Sequence, residues 1–253
     1  MIALLLALPV LADDQVHLWI LPEPEEFEVD RSILSVDEIH RANSFSRERD
    51  ARRFSVCRSV LRDLLAGYVS VVANDLEFGK TATGKSSLTG LDEPWKKLSF
   101  NEAHCDGMVL FAFAQTEVEV DVERIQWLPD MGEIVTLYAT QSEIRCLLEL
   151  QRPSRASVFF RSWTMREVYA KRTGEGLAAF ETAKEIAGIW SAAVRRISPF
   201  DRFDFQDEAS VHRFFDCSPR SEYAVALCTA TEVESFISFE VKRFVRTTEA
   251  AWR

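Results

Sequence analysis

The sequence predicts a mixed fold of helices and strands, and three observations carry that expectation. Short apolar runs bounded by turn residues, at Val16–Leu21, Met108–Ala114, Glu222–Ala230 and Ser235–Val241, read as strands. Two longer stretches, Arg41–Val72 and Ser154–Lys171, read as helices, the first with Phe54, Leu61, Leu64 and Leu65 at helical spacing among arginines. Composition supports a packed interior: 47% of the 253 residues are hydrophobic, with only 9 Gly and 8 Pro. One large domain or two small, tightly packed ones fit this length.

The chain opens with MIALLLALPVLA, which has the apolar run and terminal Ala12 of a secretion signal. No Lys or Arg precedes that run, and it is too short to span a bilayer. Residues 1–12 are therefore expected to be a first strand or the product of a misplaced start. After the strand at Val16–Leu21, Ser35 opens a helix with Glu38 three residues on, a capping box. In the helical region 41–72, Gly67 predicts a break. Residues 76–91, LEFGKTATGKSSLTGL, form a turn-rich loop between strands. This loop spells GxxxxGKS from Gly79 to Ser86, yet Gly90 and Pro94 forbid the long helix that a phosphate loop needs. A nucleotide triphosphatase is excluded on that context. Residues 108–114 and 117–123 read as two adjacent strands around a turn at Gln115 and Thr116, and the helix from Ser154 is ended by Gly174 and Gly176.

A net charge of −10 argues against general affinity for nucleic acid or an anionic membrane, both of which need clustered positive charge. Five cysteines, never spaced as CxxC, indicate neither a disulfide framework nor a zinc knuckle, so a reducing, cytoplasmic setting is expected.

Chemistry concentrates in two segments. In EVEVDVE, Glu117, Glu119, Asp121 and Glu123 alternate with valines, so a strand gathers the carboxylates on one face. Such a row is either a solvated face over a valine core or a site for a hard cation such as Mg²⁺. In FFRSWTMREVYAK, Trp163, Glu167 and Lys171 recur every four residues on one helix face, with Phe160 near the same stripe. A carboxylate and an ammonium projecting together from a partly buried helix can do acid–base work on a phosphate ester.

FNEAHC, VEVDVE and WTMREVYAKRTGEGL, in that order, resemble the three motifs of the 4′-phosphopantetheinyl transferase superfamily, of the surfactin-synthetase-activating type. In that family a strand carrying FN-S-H-S precedes G-(V/I)-D-(V/I)-E, and W-(S/T)-x-K-E-x-x-x-K-x-x-G-x-G comes later. Matching residues here are Phe100, Asn101, His104, Asp121, Glu123, Trp163, Thr164, Glu167, Lys171, Gly174 and Gly176. RRFSVCRSVLRDLLAGY resembles the family's arginine-bearing helix, and LEFGKTATGKSSL its strand followed by G-K-P, so the match runs from about Arg41 to Gly176.

The resemblance implies an α+β protein of two similar halves, residues 1–115 and 116–253, each a small antiparallel sheet packed with helices, with the active site between them. It implies that Asp121, Glu123 and Glu167 hold Mg²⁺, with Mn²⁺ as an alternative, against the pyrophosphate of coenzyme A. Glu167 would take the proton of a serine hydroxyl on an apo acyl or peptidyl carrier protein, and Lys171 would neutralise the leaving 3′,5′-ADP. His104, Arg58 and Lys85, together with Lys171, would contact coenzyme A. A monomer is expected, with Arg47, Arg49, Arg52 and Arg53 as a docking surface for acidic carriers. Cys105 reads as a packing residue and not a nucleophile. The chain departs from the pattern at Ala103 and Cys105, usually serines, at Glu119, usually glycine, at Ser86, usually proline, and at Arg166, usually lysine. Two other readings stand beside transfer: a noncatalytic module that binds carrier proteins or coenzyme A, and a Mg²⁺-dependent phosphohydrolase.

Overall fold

In chain order the elements are β1 (Gln15–Pro22), α1 (Val36–Asn43), α2 (Glu48–Val69), β2 (Phe78–Lys80), β3 (Ser86–Leu88), β4 (Ser99–Cys105), β5 (Met108–Ala114) and β6 (Val118–Arg124). They continue with α3 (Met131–Val135), α4 (Gln141–Glu149), α5 (Arg152–Thr173), β7 (Arg202–Gln206), β8 (Val211–Asp216), β9 (Tyr223–Thr229) and β10 (Ser235–Glu240). The computed structural model describes residues 8–242 apart from 82–83, 94, 177–179, 181–185, 187–188, 191–192 and 195–201.

Two four-stranded sheets, ordered β10-β1-β5-β4 and β6-β9-β8-β7, pack face to face. Their wiring repeats: β1 pairs antiparallel with β5, which pairs with β4, and β6 pairs antiparallel with β9, which pairs with β8. All of β5 is buried because its alternate residues serve two cores. Val109, Phe111 and Phe113 meet α2, whereas Met108, Leu110, Ala112 and Ala114 meet the valines of β6 between the sheets. The outer face of the second sheet is covered by α3–α5, whose core includes Met165, Val168 and Tyr169.

Four expectations need correction. Residues 108–114 and 118–124 follow one another but lie in different sheets, so the turn at 115–116 is a crossing between layers and not a hairpin. The break in the first helical region falls at Ser44–Arg47, between α1 and α2; Gly67 lies inside α2, which ends at Ser70 in a left-handed conformation. β10 leaves the second half to pair parallel with β1, so the first sheet is not wholly antiparallel. Residues 1–7 lie outside the described residues, and Leu8–Ala12 form no strand, although Leu11 is buried in the core under α2.

Helix ends follow their sequence signals. Ser35 and Glu38 form the capping box of α1, and α5 stops where Gly174, at φ 73°, turns left-handed. β2 and β3 pair antiparallel as a hairpin, and Lys85 is followed directly by strand and not by the helix that a phosphate loop needs. No helix among the described residues is long and apolar enough to cross a membrane.

Candidate active site

β6 is the edge strand of its sheet, and its period-two alternation sets the site. Val118, Val120 and Val122 point between the sheets, so Glu119, Asp121 and Glu123 point towards α5. On that side the neighbouring strand presents only Ala224, Ala226 and Cys228, whose small side chains leave room for carboxylates. Within β6 the row is not a solvated face, with Glu119 2% exposed and Asp121 9%, whereas Glu117 precedes the strand and is exposed.

Glu167 and Lys171, one turn apart on α5, reach the same spot. Lys171 Nζ donates to Asp121 Oδ1 at 2.7 Å and to the Val120 carbonyl at 3.1 Å. The Val120 N–H donates in turn to Asn101 Oδ1 at 3.0 Å, so β4 and α5 together satisfy this stretch of exposed strand edge. Trp163, one turn before Glu167, packs against Tyr138 and Phe180 with ring centroids 5.5 and 5.3 Å away, which seats this face of the helix.

Three carboxylates in so small a space repel one another. Burial first, then Asp121 and Glu167, push the Glu123 carboxyl up to about 7. Burial and Asp121 likewise raise Glu167 above the ordinary carboxylate range. Asp121 Oδ2 is buried with no hydrogen-bond partner. An orphaned carboxylate oxygen beside two acids that resist ionisation is a donor set that fits a hard divalent cation. The carboxylates are not drawn into a coordinating group, and among the described residues no cluster of three His, Cys, Asp or Glu has metal-holding geometry.

Two hollows flank this point. The smaller, of about 340 Å³, is lined by Lys85, Glu167, Lys171, Gly174, Gly176 and Phe180, so residues of both halves of the chain meet there. The larger, of about 620 Å³, lies under α2 and is lined among others by Arg41, Arg53, Phe54, Arg58, Glu102 and His104. His104 belongs to both fields: partial burial, then Arg53 and Lys171, lower its pKa, while Asp121 opposes them.

Of the residues expected from sequence, Asp121, Glu123, Glu167 and Lys171 come together, with His104 at their edge and Lys85 across the smaller hollow. Arg58 stands deeper, paired with Glu38 through a 2.7 Å hydrogen bond and lying 4.4 Å from the Phe78 ring centroid. Lys85 is paired with Glu119. Cys105 has its thiol raised to about 12 by burial and then by Glu123, as suits a packing residue. Ala103 turns into the core between the sheets, so that position does not face either hollow. Three of the four clustered arginines are engaged locally: Arg49 with Glu25, Arg52 with the Phe27 carbonyl and Arg53 with the Cys105 carbonyl. Sequence reasoning had not placed Arg53 and Glu102 in the larger hollow. Glu102 shares strand parity with Phe100 and His104, and Arg53 lies one turn before Cys57 on the helix above; those spacings carried the signal.

This wiring and this convergence of acids with a helix lysine agree with two family models that match the chain. One, 4′-phosphopantetheinyl transferase superfamily, covers residues 118–228, and the other, 4′-phosphopantetheinyl transferase, N-terminal, covers residues 18–116. The chain belongs to the 4′-phosphopantetheinyl transferase superfamily, and it is an enzyme of that type. It is similar to the 4′-phosphopantetheinyl transferase HetI of Nostoc sp., 34% identical over 68% of this chain and 73% of the relative. The 4′-phosphopantetheinyl transferase Sfp of Bacillus subtilis is 24% identical over 60% of this chain and 66% of the relative. With the human L-aminoadipate-semialdehyde dehydrogenase-phosphopantetheinyl transferase the identity is 25%, over 62% of this chain and 53% of the relative.

Proposed function

We propose that this enzyme transfers the 4′-phosphopantetheine arm of coenzyme A to a serine of an apo acyl or peptidyl carrier protein and releases 3′,5′-ADP. The observation that carries this reading is the convergence of Asp121, Glu123, Glu167 and Lys171 around a buried carboxylate oxygen that the fold leaves without a partner. Asp121, Glu123 and Glu167 would hold Mg²⁺ or Mn²⁺. When bound, the ion supplies positive charge to the pyrophosphate of coenzyme A.

The remaining work falls to side chains of this chain. Glu167, whose carboxyl burial and then Asp121 raise above its ordinary value, is the base for the serine hydroxyl proton. The serine oxygen–phosphorus bond forms as the bond from that phosphorus to the 3′,5′-ADP oxygen breaks, so no covalent enzyme intermediate arises. Lys171, released from Asp121, offsets charge on the departing phosphate. His104 and Arg58 line the larger hollow and Lys85 the smaller, and in this reading they meet the phosphates and adenosine end of coenzyme A. A cytoplasmic enzyme acting as a monomer is part of the same reading.

Incubating the protein with coenzyme A, Mg²⁺ and a set of apo carrier domains, and weighing each carrier by mass spectrometry, tests the reading. The expected result is a gain of one phosphopantetheine on a carrier serine. Cleavage of coenzyme A with every carrier unmodified identifies a phosphohydrolase. Intact coenzyme A and unmodified carriers identify a binding module.

A further inference from the structure

Within β6, Glu119 is the acid that the proposed chemistry does not use. It stands two residues before Asp121 on the same strand face, 2% exposed, where the family pattern has glycine. Its Oε1 is ion-paired with Lys85 Nζ, and its Oε2 is buried without a hydrogen-bond partner. Lys85 comes from the β2–β3 hairpin in the first half of the chain, and its side chain remains 27% exposed on the smaller hollow.

The backbone of Lys85 is fixed at the head of β3. Its N–H donates to Thr81 Oγ1 at 3.1 Å, and its carbonyl accepts the Thr81 N–H at 2.8 Å. Neither bond directs the side chain, and a lysine ammonium on four flexible carbons is strongly hydrated when free. Glycine at position 119 would offer it no acceptor. A glutamate there turns the ammonium inwards, beside Glu167 and Lys171, and the ammonium answers a charge that the adjacent acids would otherwise repel.

We propose that Glu119 is a positioning residue for the transfer reaction: it clasps Lys85 at the head of β3 and holds its ammonium on the cleft, so that a lysine from the first half meets the phosphates of coenzyme A. The inference rests on the reading of Lys85 as a contact for those phosphates. It assigns a task to the position at which this chain departs most from its family.

Two measurements on Glu119→Gln and Glu119→Gly test it, each variant first checked for native circular dichroism. In limited trypsin digestion, cleavage after Lys85 is compared with cleavage after exposed Lys97 in the same sample. Both variants should raise that ratio, Glu119→Gly several-fold and Glu119→Gln less, because glycine removes the acceptor and glutamine only its charge. In calorimetric titration with coenzyme A, both should bind about tenfold more weakly, the loss expected for one oriented, charge-assisted contact. An unchanged cleavage ratio overturns the clasp. Tighter binding by the variants overturns it too, because Glu119 would then be withholding Lys85 from the substrate. If wild-type protein binds no coenzyme A, the proposed function fails, while the cleavage ratio still decides whether Glu119 holds Lys85.

Discussion

Helices α2 and α5 are both 22 residues long, and each lies across the outer face of a four-stranded sheet with the same core wiring. They treat buried charge in opposite ways. Under α2, Arg62 is 2% exposed and closes its bonds on Glu38 and on the carbonyls of Ala73 and Leu76, at 2.7, 2.7 and 3.3 Å. Glu38 in turn completes the capping box of α1 and accepts from Arg58. Against α5, Asp121 keeps an orphaned oxygen and Glu123 resists ionisation. The pair teaches that burial of charge does not by itself mark a site. What marks the α5 side is that three like charges converge around an oxygen the fold leaves unsatisfied, a cost a stable structure accepts where a ligand later offsets it.

The comparison can be broken at several points. Glu167→Gln, on the open side, should lower kcat for carrier modification by about 10²- to 10⁴-fold, the range for loss of a general base, with little change in thermal stability. A loss of stability with activity retained would mean that the acids serve the fold. Glu38→Ala, on the closed side, should act chiefly on stability. It strands Arg62 and Arg58 and should cost about 3–5 kcal/mol in urea unfolding, as removal of one partner of a buried ion pair does. A loss below about 1 kcal/mol would show that the α2 network is not what closes that half.

A smaller effect tests a satisfied acid elsewhere in the second half. Burial works to raise the Asp207 carboxyl, but hydrogen bonds from the Ser210 and Ala209 N–H groups, His212 and Tyr169 outweigh it and hold the pKa at about 2. The folded value lies below the unfolded one near 3.8, so the stabilisation is fully present above about pH 4 and is lost as pH falls towards 2. The melting temperature of Asp207→Asn should accordingly trail wild type at pH 6 and approach it near pH 2. A constant gap across that range would rule out the ionic contribution.

Much of this was legible in the sequence because it is local. The acid–valine alternation of 117–123 fixed which residues share a face, and the i, i+4 spacing of Trp163, Glu167 and Lys171 fixed the other wall of the site. Ser35 with Glu38 and the glycine after α5 marked helix ends through capping chemistry that needs no distant partner. What the sequence concealed is long-range. The apolar run 108–114 looks the same whether it pairs with 118–124 or crosses to another sheet, because both of its faces are buried either way. Pairing of β10 with β1 joins residues over 200 positions apart, and no local signal encodes it. The Lys85–Glu119 pair is hidden for the same reason: each residue reads alone as an ordinary charge, and only the folded hairpin brings them together.

The most direct test of the central claim, that the α5 side holds its acids open for a cation, is thermal unfolding of wild type and Asp121→Asn at pH 8 with and without Mg²⁺. Binding to the native state alone raises stability in proportion to occupancy, so Mg²⁺ should raise the wild-type melting temperature. It should leave that of Asp121→Asn unmoved. An equal rise in both proteins, or in neither, would contradict the account.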